Sequence, residues 1–263
     1  MNIISYGGGV QSTALIVLAA QGKIEATHAV FANTGDDSEH PATLEYVRTV
    51  ATPWAAEHGV EVVELHNTRF GQPETLWGRM MREGSKSVPL PFYQPETGAP
   101  VGRACTADFK VKVIGRWLKA NGANKDTPAT VNIGISLDEI HRLHNRKPEP
   151  YEQNEYPLID LRLTRQDCAN IIERAGLPVP PKSACFFCPF HRLQGWMEQR
   201  RDSPELFDKA CQLESAVNER RAAAGNYPVY LSRTLRPLSE VTEAQQDLWS
   251  VMDDSCDSGY CMV

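Results

Sequence analysis

Apolar positions near the start of the chain fall into short runs that alternate with helical periodicity. Residues 2–6 (NIISY) pass into glycines and then into the periodic stretch Thr13 to Ala20, which reads as strand, tight loop and helix. A second strand is expected at 27–32 (THAVFA), ending in the acidic turn Asn33-Thr34-Gly35-Asp36-Asp37. Pro41 suits the first turn of a helix running to about His58, where its missing N–H has no intrahelical partner to lose. Residues 60–65 (VEVVEL) make a third strand. Strands alternating with helices predict an α/β fold with a doubly wound parallel sheet.

Pro73, Pro89, Pro91, Pro95 and Pro100 interrupt this rhythm, so residues 66–104 read as an irregular insertion placed to cover a site as a lid. The rhythm resumes with a helix from about Thr106 to Ala120 and a strand at 130–135 (TVNIGI). Tyr156–Asp160 reads as a strand or extended segment, and Thr164 with Asp167 forms an approximate capping box for the next helix. After Pro178–Pro181 comes Cys185-Phe186-Phe187-Cys188-Pro189-Phe190-His191, then a long helix entered through Ser203-Pro204-Glu205. The expected division is an α/β domain over 1–160, carrying the insertion, and a mostly helical, cysteine-bearing region over 161–263.

A length of 263 residues accommodates one large domain or a domain with an appendage. With 41% hydrophobic and 23% charged residues, disorder, collagen and coiled coil are excluded. The 27 basic and 33 acidic residues leave a net charge of -6, which excludes a histone-like binder and confines any polyanion to a local basic patch. The N-terminus has no secretory pattern, and no run approaches the ~18 apolar residues of a membrane span. A cytoplasmic protein without membrane association is expected, with reduced thiols, and the odd count of seven cysteines agrees.

Three features carry candidate chemistry. In Ser5-Tyr6-Gly7-Gly8-Gly9-Val10-Gln11-Ser12-Thr13, the glycines permit close backbone approach and the helix start offers unpaired amides to an anion. A kinase-type phosphate loop would end Gly-Lys-Ser/Thr, and a dinucleotide fingerprint would place glycine where Ser12 stands; neither is present. The competing reading is a plain glycine turn, against which Ser12 and Thr13 add two hydroxyls to the amide nest. Asp36 and Asp37 suit magnesium or ribose contacts, or equally a solvated acidic turn.

Cys105 and the pair Cys185-x-x-Cys188 form the second feature. They suit a structural zinc with His191 as fourth ligand, an iron-sulfur cluster, or a redox dithiol. Phe186, Phe187 and Phe190 would shield a cluster or serve as core aromatics. Cys256 and Cys261 in the tail are candidates for a fourth ligand or a mobile thiol, while Cys168 and Cys211 read as small core residues. Third, basic residues recur at His141, Arg142, His144, Arg146 and Lys147, at Lys110, Lys112, Arg116 and Lys119, and at Arg192, Arg200, Arg201, Arg220 and Arg221. They form either a positive patch able to hold a nucleic acid strand or ordinary solvated helix faces.

The stretch Gly8-Gly9-Val10-Gln11-Ser12-Thr13 resembles the PP-loop of the adenine nucleotide alpha hydrolase superfamily, with Gln11 at the usual aspartate position and an extra Tyr6-Gly7 after Ser5. Asn33-Thr34-Gly35-Asp36, followed by His40-Pro41-x-Thr43-Leu44-x-Tyr46-Val47, resembles a region of the phosphoadenosine phosphosulfate (PAPS) reductases. Arg103-x-Cys105-Thr106-x-x-Phe109-Lys110-Val111 with Ser183-x-Cys185-x-x-Cys188-Pro189 is similar to the cysteine pattern of the branch that includes DNA phosphorothioation proteins, and to cluster-bearing tRNA thiolases. Gly134 to Arg142 resembles a segment of the family whose arginine lies near the nucleotide.

The resemblance implies a PP-loop nucleotide-binding domain. ATP and Mg2+ would be bound by Ser5, Gly7, Gly8, Gly9, Gln11, Ser12, Thr13, Asn33, Gly134 and Arg142. Gln11, Ser12, Asp36 and Cys188 would take part in catalysis, and Cys105, Cys185, Cys188 and Cys261 would hold a 4Fe-4S cluster, with Zn2+ as the alternative. The implied activity is that of an ATP-dependent adenylating sulfurtransferase. Its acceptor would be a nucleic acid, its sulfur donor a cysteine desulfurase, and its oligomeric state is left open. The alternatives are a PAPS reductase-like phosphosulfate reductase and a zinc-stapled nucleotide-binding module without turnover. The reductases' C-terminal Glu-Cys-Gly-Leu-His-like motif is absent, which weighs against sulfate reduction.

Overall fold

A computed structural model of the chain describes residues 1–143 and 148–242. Strand β1 (Asn2–Tyr6) leads through helix α1 (Val10–Ala20) to strand β2 (His28–Asn33). Helices α2 (Pro41–Glu45) and α3 (Thr52–Glu57), joined by a π-helical turn at Tyr46–Ala51, return the chain to β3 (Glu61–His66). A short hairpin, β4 (Thr68–Arg69) with β5 (Gln72–Pro73), and helix α4 (Leu76–Met81) follow. The short helix α5 (Ala104–Thr106), a second π-helical turn at Ala107–Val111 and helix α6 (Lys112–Ala120) cross to β6 (Ala129–Ile133). Then come β7 (Glu152–Glu155), α7 (Pro157–Asp160), α8 (Arg165–Arg174), α9 (Leu193–Asp202) and α10 (Pro204–Ala223).

Five strands form one parallel sheet in the order β3-β2-β1-β6-β7. Because side chains alternate across a strand, Ile4, Tyr6, Ala29 and Phe31 pack with α1, α2, α3 and α8 in one core, while Ile3, Val30, Ala32 and Val131 pack with α6 in another. The α/β, doubly wound architecture follows. The chain winds outward through β1, β2 and β3, then crosses to β6 on the other side of β1, so a crevice opens between β1 and β6 at their carboxyl ends.

Several local expectations are corrected. Helix α1 starts at Val10 rather than Thr13, because Gly9 takes the extended conformation of an N-cap. Residues Pro157–Asp160 are helical, Pro157 lying in the first turn, and the edge strand is the preceding Glu152–Glu155. The long helix entered through Ser203-Pro204-Glu205 is α10, and only the shorter α9 that precedes it was missed from sequence.

The 66–104 segment is not a free lid. Leu76, Met80, Leu90 and Phe92 are buried in a third core together with Phe109, residues 184–188, Trp196, Phe207 and Leu213. Tyr93 and Tyr230 exchange backbone hydrogen bonds, and Arg220 on α10 donates to the carbonyls of Met80 and Arg82. Helix α8, beyond residue 160, packs on α1 in the first core through Cys168 and Ile172. No helix among the described residues is long and apolar enough to cross a membrane.

Candidate functional site

The glycine turn sits where β1 ends. Gly8 has φ +74°, and a β-carbon there would come within 2.9 Å of Thr43 Cγ2 and 3.0 Å of Val47 Cγ2. Gly9 caps α1 without a side chain, leaving the first amides of the helix open toward the crevice. Ser12 Oγ accepts from the Gly7 amide at 3.2 Å and donates to the Gly9 carbonyl at 3.2 Å, which ties the turn to the helix it precedes. From the other side of the switch point, Gly134 follows β6 so closely that a β-carbon would lie 3.0 Å from the Ser12 amide nitrogen.

A cleft opens on this turn, lined by Gly7, Gly9, Gln11, Ser12, Gly134 and Arg142, with Arg165, Lys182 and Ser183 completing it. Arg165 and Lys182 on one small cleft give a local positive field against a net charge of -6. Arg142 is buried and ion-paired with Glu139, whose carboxyl burial pushes above the usual range. Arg165, at the first position of α8, donates to the Gln11 side-chain oxygen at 3.0 Å. A carboxylate in place of Gln11 would neutralise that guanidinium; an amide orients it and leaves its charge available to an anion.

The cysteine loop is joined to this turn. Ser183 donates from Oγ to the Gly7 carbonyl, and two residues later Cys185 Sγ lies 3.3 Å from Thr34 Oγ1 at the exit of β2. A short antiparallel bridge pins the segment, with the His40 amide on the Ala184 carbonyl and the Phe186 amide on Ser38. Cys188 N–H donates to the Cys185 carbonyl at 3.1 Å, which folds the pair into one turn. Cys185 and Cys188 are buried members of the third core and Cys105 packs against it; Arg103 stacks on Phe190, bringing the Cys105 segment onto the loop. The π-helical turn after Cys105 carries Lys110 to within 3.6 Å of Glu39, a buried carboxylate that also accepts from Thr34 Oγ1.

His191 Nε2 lies 3.0 Å from the Cys185 carbonyl and must donate to it, since a carbonyl only accepts. Burial and the Lys182 charge hold this imidazole at about 4, so it is neutral. Among the described residues no group of three His, Cys, Asp or Glu side chains is gathered as for a single metal ion. Cys185 and Cys188 on the loop, with Cys105 packed against the same core, are soft donors of the kind an iron-sulfur cluster takes.

Other expected site residues lie elsewhere. Asp36 is clamped by Arg48 at 2.7 and 2.9 Å and by Asn33 at 2.7 Å, the guanidinium holding its carboxyl below the usual range. Asn33 spends its amide on Asp36 and Glu64 and its oxygen on the Gly35 amide. Neither lines the cleft. Ser5 borders a separate small cavity with Thr106, Lys110 and Glu152, and Thr13 bonds the Tyr6 hydroxyl inside the core. Cys261, with Cys256, His144, Arg146 and Lys147, lies outside the described residues.

Cys168 and Cys211 have thiols pushed up by burial to about 12 and about 11, as expected of inert core positions. The basic helix faces meet partners inside the molecule: Lys112 pairs with Asp108, Arg116 donates to Asn67, and Arg200 to the Val241 carbonyl. Arg165 and Lys182 were not singled out from sequence, and Ser183 only as the opening of the cysteine motif; the capping box just ahead of Arg165 was the available signal.

No family model matches the chain. Over 158 residues the chain is 31% identical to "Uncharacterized nin region protein ORF290" of Escherichia phage lambda, a match covering 57% of this chain and 52% of that protein, so the chain spans about half the length of this relative. Among solved structures it is similar to the U34-tRNA thiolase NcsA from Methanococcus maripaludis with its 4Fe-4S cluster, at 14% identity and a TM-score of 0.44, covering 82% of this chain and 71% of that one.

Proposed function

We propose that the chain is an ATP-dependent adenylating sulfurtransferase of PP-loop type acting on a nucleic acid. The supporting observation is the link between the two halves of the site: Ser183 on the Gly7 carbonyl and Cys185 against Thr34 tie the cysteine loop to the glycine turn and to the exit of β2. In this reading the Gly7–Ser12 amides and Arg142, Arg165 and Lys182 hold the triphosphate and stabilise charge as an acceptor oxygen attacks the α-phosphorus and pyrophosphate leaves. Gln11 keeps Arg165 oriented on the phosphates without neutralising it. Sulfur at the sulfide level then replaces the activated oxygen, which departs on AMP, so the exchange involves no net oxidation.

Cys105, Cys185 and Cys188 would hold a 4Fe-4S cluster, which when bound supplies a site for carrying that sulfur. Trp77, Phe186 and Phe187 pack on one another in the core that holds buried Cys185 and Cys188. Incubation of the anaerobically purified protein with ATP, sulfide and bulk RNA or DNA tests the reading. Equal amounts of AMP and pyrophosphate, together with sulfur-containing nucleosides in the digest, are expected. Binding of PAPS in preference to ATP, or no pyrophosphate with any acceptor, would overturn it.

A further inference from the structure

The insertion carries a cavity of its own. It is open to solvent, holds about 440 Å³ between the β4–β5 hairpin, helix α4 and residues 82–87, and shares no lining residue with the glycine-loop cleft. Four cations line it, Arg69, Arg79, Arg82 and Lys86, against two carboxylates, Glu74 and Glu83.

One buried carboxylate holds the arginines together. Glu74 Oε2 accepts from Asn67 Nδ2 and from Arg79 Nε, each at 3.1 Å, and also from Arg79 Nη2. Its Oε1 accepts from Arg82 Nη2 and lies 3.8 Å from Arg69 Nη1. Three guanidiniums therefore share one negative charge. Asp108, behind Arg79, leaves the balance unchanged because Lys112 matches it at 2.7 Å. Four cations less two carboxylates leave the cavity an excess of two positive charges.

The donors are also positioned for an occupant. Arg69 and Arg82 each turn one nitrogen to Glu74, and among the described residues the other N–H groups of both forks meet no acceptor. Lys86 is exposed and has no ion-pair partner among the described residues. Ser85 Oγ accepts from the Ser87 amide at 3.2 Å, which leaves its own hydrogen to donate into the cavity it lines. Guanidinium forks match the oxygens of a tetrahedral oxyanion, and forks already held by Glu74 lose less freedom on binding one. Two excess charges are met by a dianion, as a phosphate monoester carries, and only half met by a phosphodiester. The volume leaves room for the organic part of the ester.

We propose that this cavity binds the dianionic group of a phosphate monoester. Arg69, Arg82, Lys86 and the Ser85 hydroxyl hold it, while Glu74 and Arg79 fix the frame. The assignment is independent of the sulfur-transfer reading, because neither the glycine turn nor the cysteines take part.

Phosphorus NMR titration of the full-length protein with methyl phosphate, at pH 8 and fixed ionic strength, tests it. Saturable binding is expected, with dimethyl phosphate, the monoanionic diester, about tenfold weaker. The site should persist in Arg165→Gln, which disarms the glycine-loop cleft. In that background Arg82→Gln and Lys86→Gln should each weaken methyl phosphate by about fivefold or more. Arg82→Gln also loosens the frame around Glu74, whereas Lys86→Gln should keep its thermal midpoint and so reads binding alone. Displacement of methyl phosphate by glycerol 3-phosphate marks a free metabolite, and displacement by a 5′-phosphorylated trinucleotide alone marks a strand end; the monoester assignment holds in both. No saturable binding, equal binding of monoester and diester, loss of the site in Arg165→Gln, or full binding by Lys86→Gln in that background would overturn the proposal.

Discussion

At Gly8 any β-carbon would meet Thr43 or Val47 while the backbone holds a left-handed φ, so Gly8→Ala is expected to cost about 1–3 kcal/mol, read by urea unfolding. Gln11 answers to a different measurement. Gln11→Glu is nearly isosteric but would pair its carboxylate with Arg165 at the 3.0 Å contact and set a negative charge beside the polyphosphate. A tenfold or greater rise in the KM for ATP, with an unchanged thermal midpoint, is expected; an unchanged KM would show that Arg165 does not serve the phosphates. The glycines were legible in the sequence because close backbone approach is a property of the residue itself, and Gln11 stood out only through the PP-loop resemblance. The role of Asp36 was not, since a carboxylate after a strand reads the same whether it meets a metal or the guanidinium of Arg48.

Among the elements, helix α8 shows how far local signals reach. Thr164 accepts from the Asp167 amide and Asp167 accepts from the Thr164 amide, the capping box its sequence implies. Thr164→Ala should cost about 1 kcal/mol. Helix α10 carries a group with no sequence signature: buried Glu214 accepts the Leu231 and Leu238 amides at 2.7 and 2.6 Å, fastening the 229–241 segment. Burial, outweighing those two amides, pushes its carboxyl up to about 7 from an ordinary 4.5.

The consequence for stability has a definite sign. Between about 4.5 and 7 the folded chain keeps a proton that the unfolded chain has released, so this group's contribution to stability falls as pH rises through that window and levels off above it. Glu214→Gln removes this component but turns an amide toward one of the two backbone donors, at about 1–3 kcal/mol. Urea unfolding at pH 5 and pH 8 should therefore show a lower mean stability and a smaller pH 5 to pH 8 loss in the variant. An undiminished loss would assign it to other groups.

Across the whole molecule, the insertion at 66–104 and the C-terminal helices share one core, and that core carries the cysteines. Cys185→Ser should therefore leave the fold intact, by far-ultraviolet circular dichroism, while anaerobically reconstituted iron falls from about four per chain. Cys168→Ser and Cys211→Ser should retain the iron. Iron loss in all four single variants, Cys105→Ser included, would signal a general unfolding instead.

The parallel strands, the glycine turn and the cysteine spacing were readable along the chain because each depends on neighbours within a few residues, through side-chain alternation, positive φ or a single tight turn. Which of those residues face each other was settled only by packing. Ser183 meets Gly7, Arg165 meets Gln11 and Cys185 meets Thr34 across separations of more than 150 residues. Contacts of that span arise when two sheet faces and a third core close around one crevice, and no periodicity or motif spacing encodes them.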